Sequence, residues 1–119
     1  MTTPSPKVFS KGLFLIAALL EISSEDLASI FSVDVGTITL WQSTADFPSD
    51  DDMKLSQIVN LLAINQSLSA MFSNARDRVL WLHTNHPELQ TSPLKIATTS
   101  PEGLRTIKDY LEGVRMKGA

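Results

Sequence analysis

The feature that most constrains this chain is one long periodic segment, residues 54–72, whose apolar side chains recur at helical spacing on two stripes. The first stripe is Leu55, Ile58, Val59 and Leu62. The second is Leu61, Ile64, Leu68, Met71 and Phe72. Because the stripes lie about half a turn apart, one helix must serve two surfaces. The segment is predicted to bridge two halves of a helical protein, and a homodimer through residues 53–73 remains open beside that interpretation.

Helix-capping signals divide the rest of the chain into further helices. Side chains that suit a helix N-cap stand at Ser10, Ser23, Ser24, Asp34, Asn74, Ser92 and Ser100. Carboxylates or a proline follow several of them in the first turn, where the orphan amides and the helix dipole favour them. The pattern predicts six or seven helices, with a solvated loop at residues 43–52 around three successive aspartates. No strand pattern competes with it.

The expected fold class is therefore all-α, with a helix-turn-helix-like N-terminal bundle joined by a long helix to a small helical C-terminal domain. The expected organisation is a flexible tail at residues 1–9, a helix-turn-helix-like region at 10–52, a connecting helix at 53–73 and a C-terminal domain at 74–119. A chain of 119 residues, 43% of them hydrophobic, can build such a core but not two independent catalytic domains.

Charge is distributed unevenly along the chain. Residues 1–53 hold two lysines against eight carboxylates, whereas residues 54–119 hold eight lysines and arginines against five carboxylates. An acidic first half repels phosphates, which disfavours DNA contact by that half. The C-terminal half is mildly basic and suits an acidic or anion-binding partner.

The composition also bounds the chemistry and the compartment. The chain has no cysteine, which excludes disulfides, thiolate metal sites and a cysteine nucleophile and favours a cytoplasmic location. The apolar run at residues 13–20 is too short to span a membrane and ends at Glu21, so neither a signal peptide nor membrane insertion is expected.

No constellation of residues predicts catalysis. His83 and His86 are the only histidines, and no third metal ligand is fixed by spacing. The chain has no glycine-rich phosphate loop and no nucleophile elbow. We therefore expect no catalytic residue, no metal and no cofactor, and the chain is predicted not to be an enzyme.

The first half carries the spacing of a helix-turn-helix. The apolar positions of the motif are Leu27, Ala28, Ile30, Phe31, Val33, Ile38 and Trp41. This stretch resembles the helix-turn-helix of Xre-type regulators, in which the turn position occupied here by Ser32 is often glycine. The groove-facing positions would be Gly36, Thr37, Thr39 and Gln42.

The cations of that motif are missing. Val35 and Leu40 stand where such regulators commonly place arginines. If this half binds DNA, its cations must come from Arg76, Arg78 or a partner.

The C-terminal third carries a second and better resemblance. Its motif residues are Trp81, Leu82, Thr84, Asn85, Leu89, Pro93, Leu94, Gly103, Leu111 and Gly118. In order and near-spacing they are similar to the toxin-binding domain of the Xre/MbcA/ParS antitoxins. One departure is that the loop before Pro93 lacks the glycine that the family commonly has.

The resemblance implies an antitoxin of a type II toxin-antitoxin system that binds a RES-type, NAD-degrading toxin and obstructs its active site. Most of the motif residues are expected to be structural. The candidate toxin contacts are Arg105, Lys108, Arg115, Met116 and Lys117, a basic and flexible end of the chain. The alternatives left open are an ordinary solvated helix face at these positions, a DNA-binding regulator of the Xre type, and an interaction module for an unrelated partner.

Overall fold

A computed structural model of the protein describes residues 5–118, which form seven helices and no strand. The helices are α1 (Pro6–Leu20), α2 (Ser24–Phe31), α3 (Val35–Thr44), α4 (Asp52–Met71), α5 (Ala75–His83), α6 (Pro93–Thr99) and α7 (Gly103–Gly118). The all-α prediction is confirmed. Within these residues, no helix has the length and apolar character needed to cross a bilayer.

The long helix α4 lies between the two halves of the chain. It contacts α1 and α2 of the first half and α5 and α7 of the second. Its buried side chains Ile58, Leu61, Ile64 and Leu68 belong to one apolar cluster that extends into both halves. The helices α1 and α2 also contact α5 and α6 directly, so the two halves share a single core.

Most of the predicted caps are present, because each depends only on local geometry. The side chains of Ser23, Asp34, Asn74 and Ser92 accept hydrogen bonds from backbone amides in the first turns of α2, α3, α5 and α6. Apart from the start of α1, the bounds shift by about one turn or less. The helix α3 continues to Thr44, and α7 begins at Gly103, two residues after Pro101.

The predicted cap at Ser10 is wrong. The helix α1 begins at Pro6, whose fixed φ suits a first helical position, and Ser5 takes the N-cap position. Ser10 is buried inside α1, and its hydroxyl donates a hydrogen bond to the carbonyl oxygen of Trp41 at 2.7 Å. Residues 6–9 of the predicted tail are thus helical, and residues 1–4 lie outside the described part of the chain.

The loop at residues 45–51 is not wholly solvated, contrary to expectation. Phe47 is 1% exposed and packs against Phe31 and Trp41, with ring centroids 5.8 and 5.0 Å away. Aromatic pairs at these separations add to the stabilisation that comes from burial itself. Phe47 therefore pins the acidic loop to the core of the first half.

Candidate functional site

The first candidate surface is the outward side of α7. The inward side is held by Leu104, Ile107 and Leu111, each at most 2% exposed, against the rest of the core. The helix packs on α4 and α6. Its orientation is therefore fixed, and the five candidate contact residues lie along a rigid element.

The middle of α7 is balanced in charge. Lys108 Nζ lies 3.4 Å from Asp109 Oδ1 and 4.0 Å from Glu112 Oε1, and Arg105 Nε lies 4.0 Å from Asp109 Oδ2. Exposed pairs of this kind contribute about 0.5 kcal/mol or less to stability. They offset the charge of Arg105 and Lys108, so the middle of the helix is not a strong basic patch.

The end of α7 is helical rather than a free tail. Arg115 Nη1 donates a hydrogen bond to Ser67 Oγ on α4 at 3.2 Å, and Ser67 is 1% exposed. Arg115 therefore fastens the last turns of α7 to the central helix. Met116, 79% exposed, and Lys117 project from that anchored turn.

The motif residues of the C-terminal third are mostly structural. Leu82, Pro93, Leu94, Gly103 and Leu111 are buried, Trp81 and Leu89 are half-buried, and Thr84 and Asn85 are exposed at the end of α5. Gly118 is the last residue of α7, and its surroundings lie outside the described part of the chain.

Gly103 is required by the close approach of α6 and α7. A Cβ built at this position would clash with the carbonyl oxygen of Ile96 and lie 2.7 Å from the Cα of Ala97. Both neighbours are backbone atoms, so they cannot move aside cheaply. The glycine fixes where α7 leaves α6 and hence the direction in which its far end points.

The loop between α5 and α6 keeps a tight turn without a glycine. Gln90 takes a left-handed backbone conformation with φ 64°, in the segment where the resembled family commonly has glycine. The His86 amide donates to the carbonyl oxygen of Thr91 at 3.2 Å, and a His86 ring nitrogen lies 2.8 Å from the carbonyl oxygen of Trp81. The absence of the family's glycine therefore leaves Gln90 in a strained backbone conformation, while the hydrogen bonds of His86 keep the loop closed.

An aromatic group joins this loop to α7. The ring of Trp81 lies 5.1 Å from that of His86 and 6.3 Å from that of Tyr110, centroid to centroid. The Tyr110 hydroxyl donates to Glu88 Oε1 at 3.1 Å. Burial, then the hydrogen bond to Glu88, raise the pKa of Tyr110, while the backbone amide of Glu88 and the Tyr110 hydroxyl lower the pKa of Glu88.

The second candidate surface is the outer side of α3. Gly36, Thr39 and Gln42 are exposed as expected for groove-facing positions. Thr37 is only half-exposed, and its amide and hydroxyl both donate to Asp34 Oδ1 at 2.7 Å. Thr37 is thus committed to the cap of α3.

The groove beside α3 is lined by two lysines that are not among the cations named from the sequence. Arg76 lies 3.6 Å from Glu21, and the Arg78 guanidinium donates to the carbonyl oxygens of Phe72 and Ser73. Instead, Lys7 and Lys11 of α1 line a groove of about 450 Å³ together with Gln42. The fold brings these lysines beside α3 across 31 or more residues of sequence, which spacing alone does not reveal.

A cleft of about 390 Å³ lies where α2, α4 and α7 meet. Lys54, Gln57, Asn60 and Arg105 are among its lining residues. Gln57 Nε2 donates to the carbonyl oxygen of Ile30 at 2.9 Å, and Lys54 pairs with Asp51 at 3.0 Å. Gln57 thus joins α4 to α2, the Lys54 pair is local to the start of α4, and Arg105 lines the cleft from α7.

Comparison with known proteins bears on the second half of the chain. Residues 67–117 match the family model described as the antitoxin Xre/MbcA/ParS C-terminal toxin-binding domain. The match begins in the last turn of α4 and takes in α5, α6 and nearly all of α7. No curated protein matches the chain.

Proposed function

We propose that the protein is the antitoxin of a type II toxin-antitoxin system, because residues 67–117 match the model of the antitoxin Xre/MbcA/ParS C-terminal toxin-binding domain. Its partner is a RES-type, NAD-degrading toxin, as the family resemblance implies. The protein acts by binding in the cytoplasm and performs no catalysis of its own.

The observation that supports this proposal most strongly is the family match across a rigid helical unit that ends in an exposed, cationic turn. In that turn Met116 is exposed between Arg115 and Lys117, while Arg115 is tied to Ser67. An apolar side chain flanked by cations suits an acidic, partly apolar entrance to the toxin's active-site cleft, and not the groups inside it that bind phosphates, because like charges repel. Occupying that cleft excludes the substrate by steric obstruction.

The direct test is affinity purification of the tagged full chain from its own host at moderate salt, with mass spectrometry of what remains bound. A stoichiometric small enzyme that consumes NAD once separated from this chain supports the proposal. Recovery of the chain without such an enzyme, from cells that produce it, counts against the proposal.

The contact residues are tested with substitutions that leave the fold intact. Met116→Asp and Lys117→Glu are expected to weaken toxin binding about tenfold or more, because both side chains are exposed and reach the partner directly. Lys95→Glu, an exposed lysine on α6, is the matched control and is expected to bind normally. Equal affinity of all three variants would place the toxin contact elsewhere.

Arg115→Ala is a separate case, since its guanidinium bonds to the buried Ser67 hydroxyl. We expect this change to lower the thermal stability of the chain, so it cannot by itself report a lost toxin contact. Measuring the melting temperature beside the affinity separates the two effects.

A second candidate function, a DNA-binding regulator of the Xre type, has two observations in its favour. The α2–α3 turn places Ser32 in a left-handed conformation, φ 57°, and Lys7 and Lys11 lie in the groove beside Gln42. If this surface binds the protein's own promoter, affinity falls steeply with salt, and Gln42→Glu reduces it further. Leu62→Glu on α4 serves as the control, and salt-independent or absent retention of the promoter duplex would exclude this function.

A further inference from the structure

The outward face of α1 is apolar although the helix lies on the surface. Val8, Leu15 and Leu19 are 59%, 61% and 50% exposed. With Gly12 they form a stripe in which successive positions are four, three and four residues apart. We call these four residues the α1 seam.

This spacing is the one that lets two helices pack along each other, since it keeps a narrow stripe facing a partner. Gly12 lies within the seam, and a Cβ built there would meet nothing within 4 Å. Without a side chain at this point, a second helix can approach closely enough to receive a large side chain over the glycine.

The seam is complementary to itself when two copies run antiparallel. Val8 of one copy then lies opposite Leu19 of the second, and Gly12 lies opposite Leu15. Each large side chain meets either another large side chain or the gap over the glycine. The same pairs recur on both sides of the two-fold axis, as an isologous contact requires.

The charges beside the seam favour the same orientation. Lys7 lies in the first turn of α1, and Glu21 follows its last residue. An antiparallel pair brings Lys7 of one copy to Glu21 of the second at both ends of the contact, whereas a parallel pair brings like charges together. Glu21 also lies 3.6 Å from Arg76, but both side chains are at least 60% exposed and this pair constrains Glu21 little.

The exposed apolar residues of α4 make a weaker surface. Met53, Val59 and Leu62 are exposed there, but Ser56 separates Met53 from the other two. The polar Gln66 follows Leu62 on the next turn.

We propose that the protein forms a homodimer through antiparallel packing of the α1 seam against the α1 seam of a second copy. The partner surface is thus α1 and not the helix over residues 53–73. This inference does not depend on the antitoxin function, because it rests on the first helix alone.

The test is sedimentation velocity of the full chain over a range of micromolar concentrations. The native protein is expected to sediment with the mass of a dimer at the high end. Leu15→Glu is expected to raise the dissociation constant about tenfold or more, because each copy would place a carboxylate over the other's glycine. Leu40→Glu, at a leucine with 57% exposure on α3, is the matched control and is expected to remain dimeric.

The charge pair provides a rescue experiment. Lys7→Glu is expected to weaken the dimer several-fold, and Lys7→Glu combined with Glu21→Lys is expected to restore it. Because the chain has no cysteine, orientation can be read from single-cysteine variants. Mixed Val8→Cys and Leu19→Cys chains are expected to form a cross-linked heterodimer, whereas Val8→Cys alone is expected to form none.

Three results would overturn the proposal. They are a native chain that sediments as a monomer at every concentration, a dimer that withstands Leu15→Glu, and a Val8→Cys chain that cross-links to itself in a parallel pair. A dimer that is lost on Val59→Glu but not on Leu15→Glu would assign the interface to α4 instead.

Discussion

Within residues 5–118, four residues other than glycine take the left-handed backbone conformation: Glu21, Ser32, Ala45 and Gln90, with φ between 54° and 64°. The first three follow α1, α2 and α3 directly, and Gln90 closes the loop before α6. A side chain in this conformation costs about 1 kcal/mol relative to glycine. The backbone is therefore strained at these four turns, and substitution of the residue by glycine can relieve the strain at each of them.

We expect Gln90→Gly to raise the free energy of unfolding by about 1 kcal/mol, because glycine adopts this φ without a steric penalty. Chemical denaturation with urea measures the change. Gln66→Gly, in the interior of α4, is the control and is expected to lower stability by a similar amount. Lower stability of Gln90→Gly would show that the glutamine side chain holds the loop.

The two departures from the family patterns were visible in the sequence as absent glycines, at Ser32 and before Pro93. The sequence could not show whether these turns keep a left-handed residue without glycine, because the φ of that residue depends on the other contacts of its loop. Those contacts include the ring of His86 with the Trp81 carbonyl and Tyr110 with Glu88, which join separate elements.

At the scale of single elements, the N-caps were predictable because a cap bonds within three residues of its own helix. Asp34, Asn74 and Ser92 act as predicted. The predictions of a cap at Ser10 and of a wholly solvated loop at residues 43–52 are wrong because Ser10 and Phe47 are each placed by contact with Trp41, which lies in a different element. Local signals thus predict where a helix starts, but not which loop residue enters the core.

The cap of α3 makes a prediction about pH. Hydrogen bonds from the Thr37 hydroxyl and then the Thr37 amide hold the pKa of Asp34 below its usual range. A carboxylate with a lowered pKa in the folded state contributes stability above its unfolded pKa, and loses it as the pH falls through the folded value. We expect Asp34→Asn to remove this contribution to the pH dependence, since asparagine caps a helix without titrating.

Unfolding measured from neutral to acidic pH checks this expectation. Both proteins lose stability as other carboxylates protonate, but the native curve should fall more steeply and approach that of the variant in acid. Parallel curves would mean that the cap does not depend on the charge of Asp34.

At the scale of the whole molecule, the fold class and the bridging role of α4 followed from hydrophobic periodicity. The periodicity of residues 54–72 predicts two buried stripes, and this is only partly right: Val59 and Leu62 of the first stripe are exposed. The buried residues Ile58, Leu61, Ile64 and Leu68 come from both stripes, and α4 contacts both halves of the chain. The contacts that the candidate binding residues make in the folded chain could not be predicted from hydrophobic periodicity. Arg115 bonds to Ser67 across 48 residues of sequence, and Lys7 and Lys11 line the same groove as Gln42 only in the folded chain.

The whole molecule therefore presents three distinct surfaces on one core. The end of α7 is proposed to meet the toxin, the α1 seam a second copy, and the outer side of α3 is the candidate nucleic-acid surface. Since α1 contacts α3 directly and is connected to α7 through α4, a dimer would set the spacing of the other two surfaces.

The measurement that tests the central claim most directly is NAD consumption by the enzyme that co-purifies with this chain. After the two are separated, the purified full chain is titrated back into the enzyme while NAD loss is followed. We predict that consumption stops near a fixed stoichiometric ratio, and that Lys117→Glu requires more protein than Lys95→Glu to reach the same inhibition. Undiminished NAD consumption at a large excess of the native chain would contradict the antitoxin account.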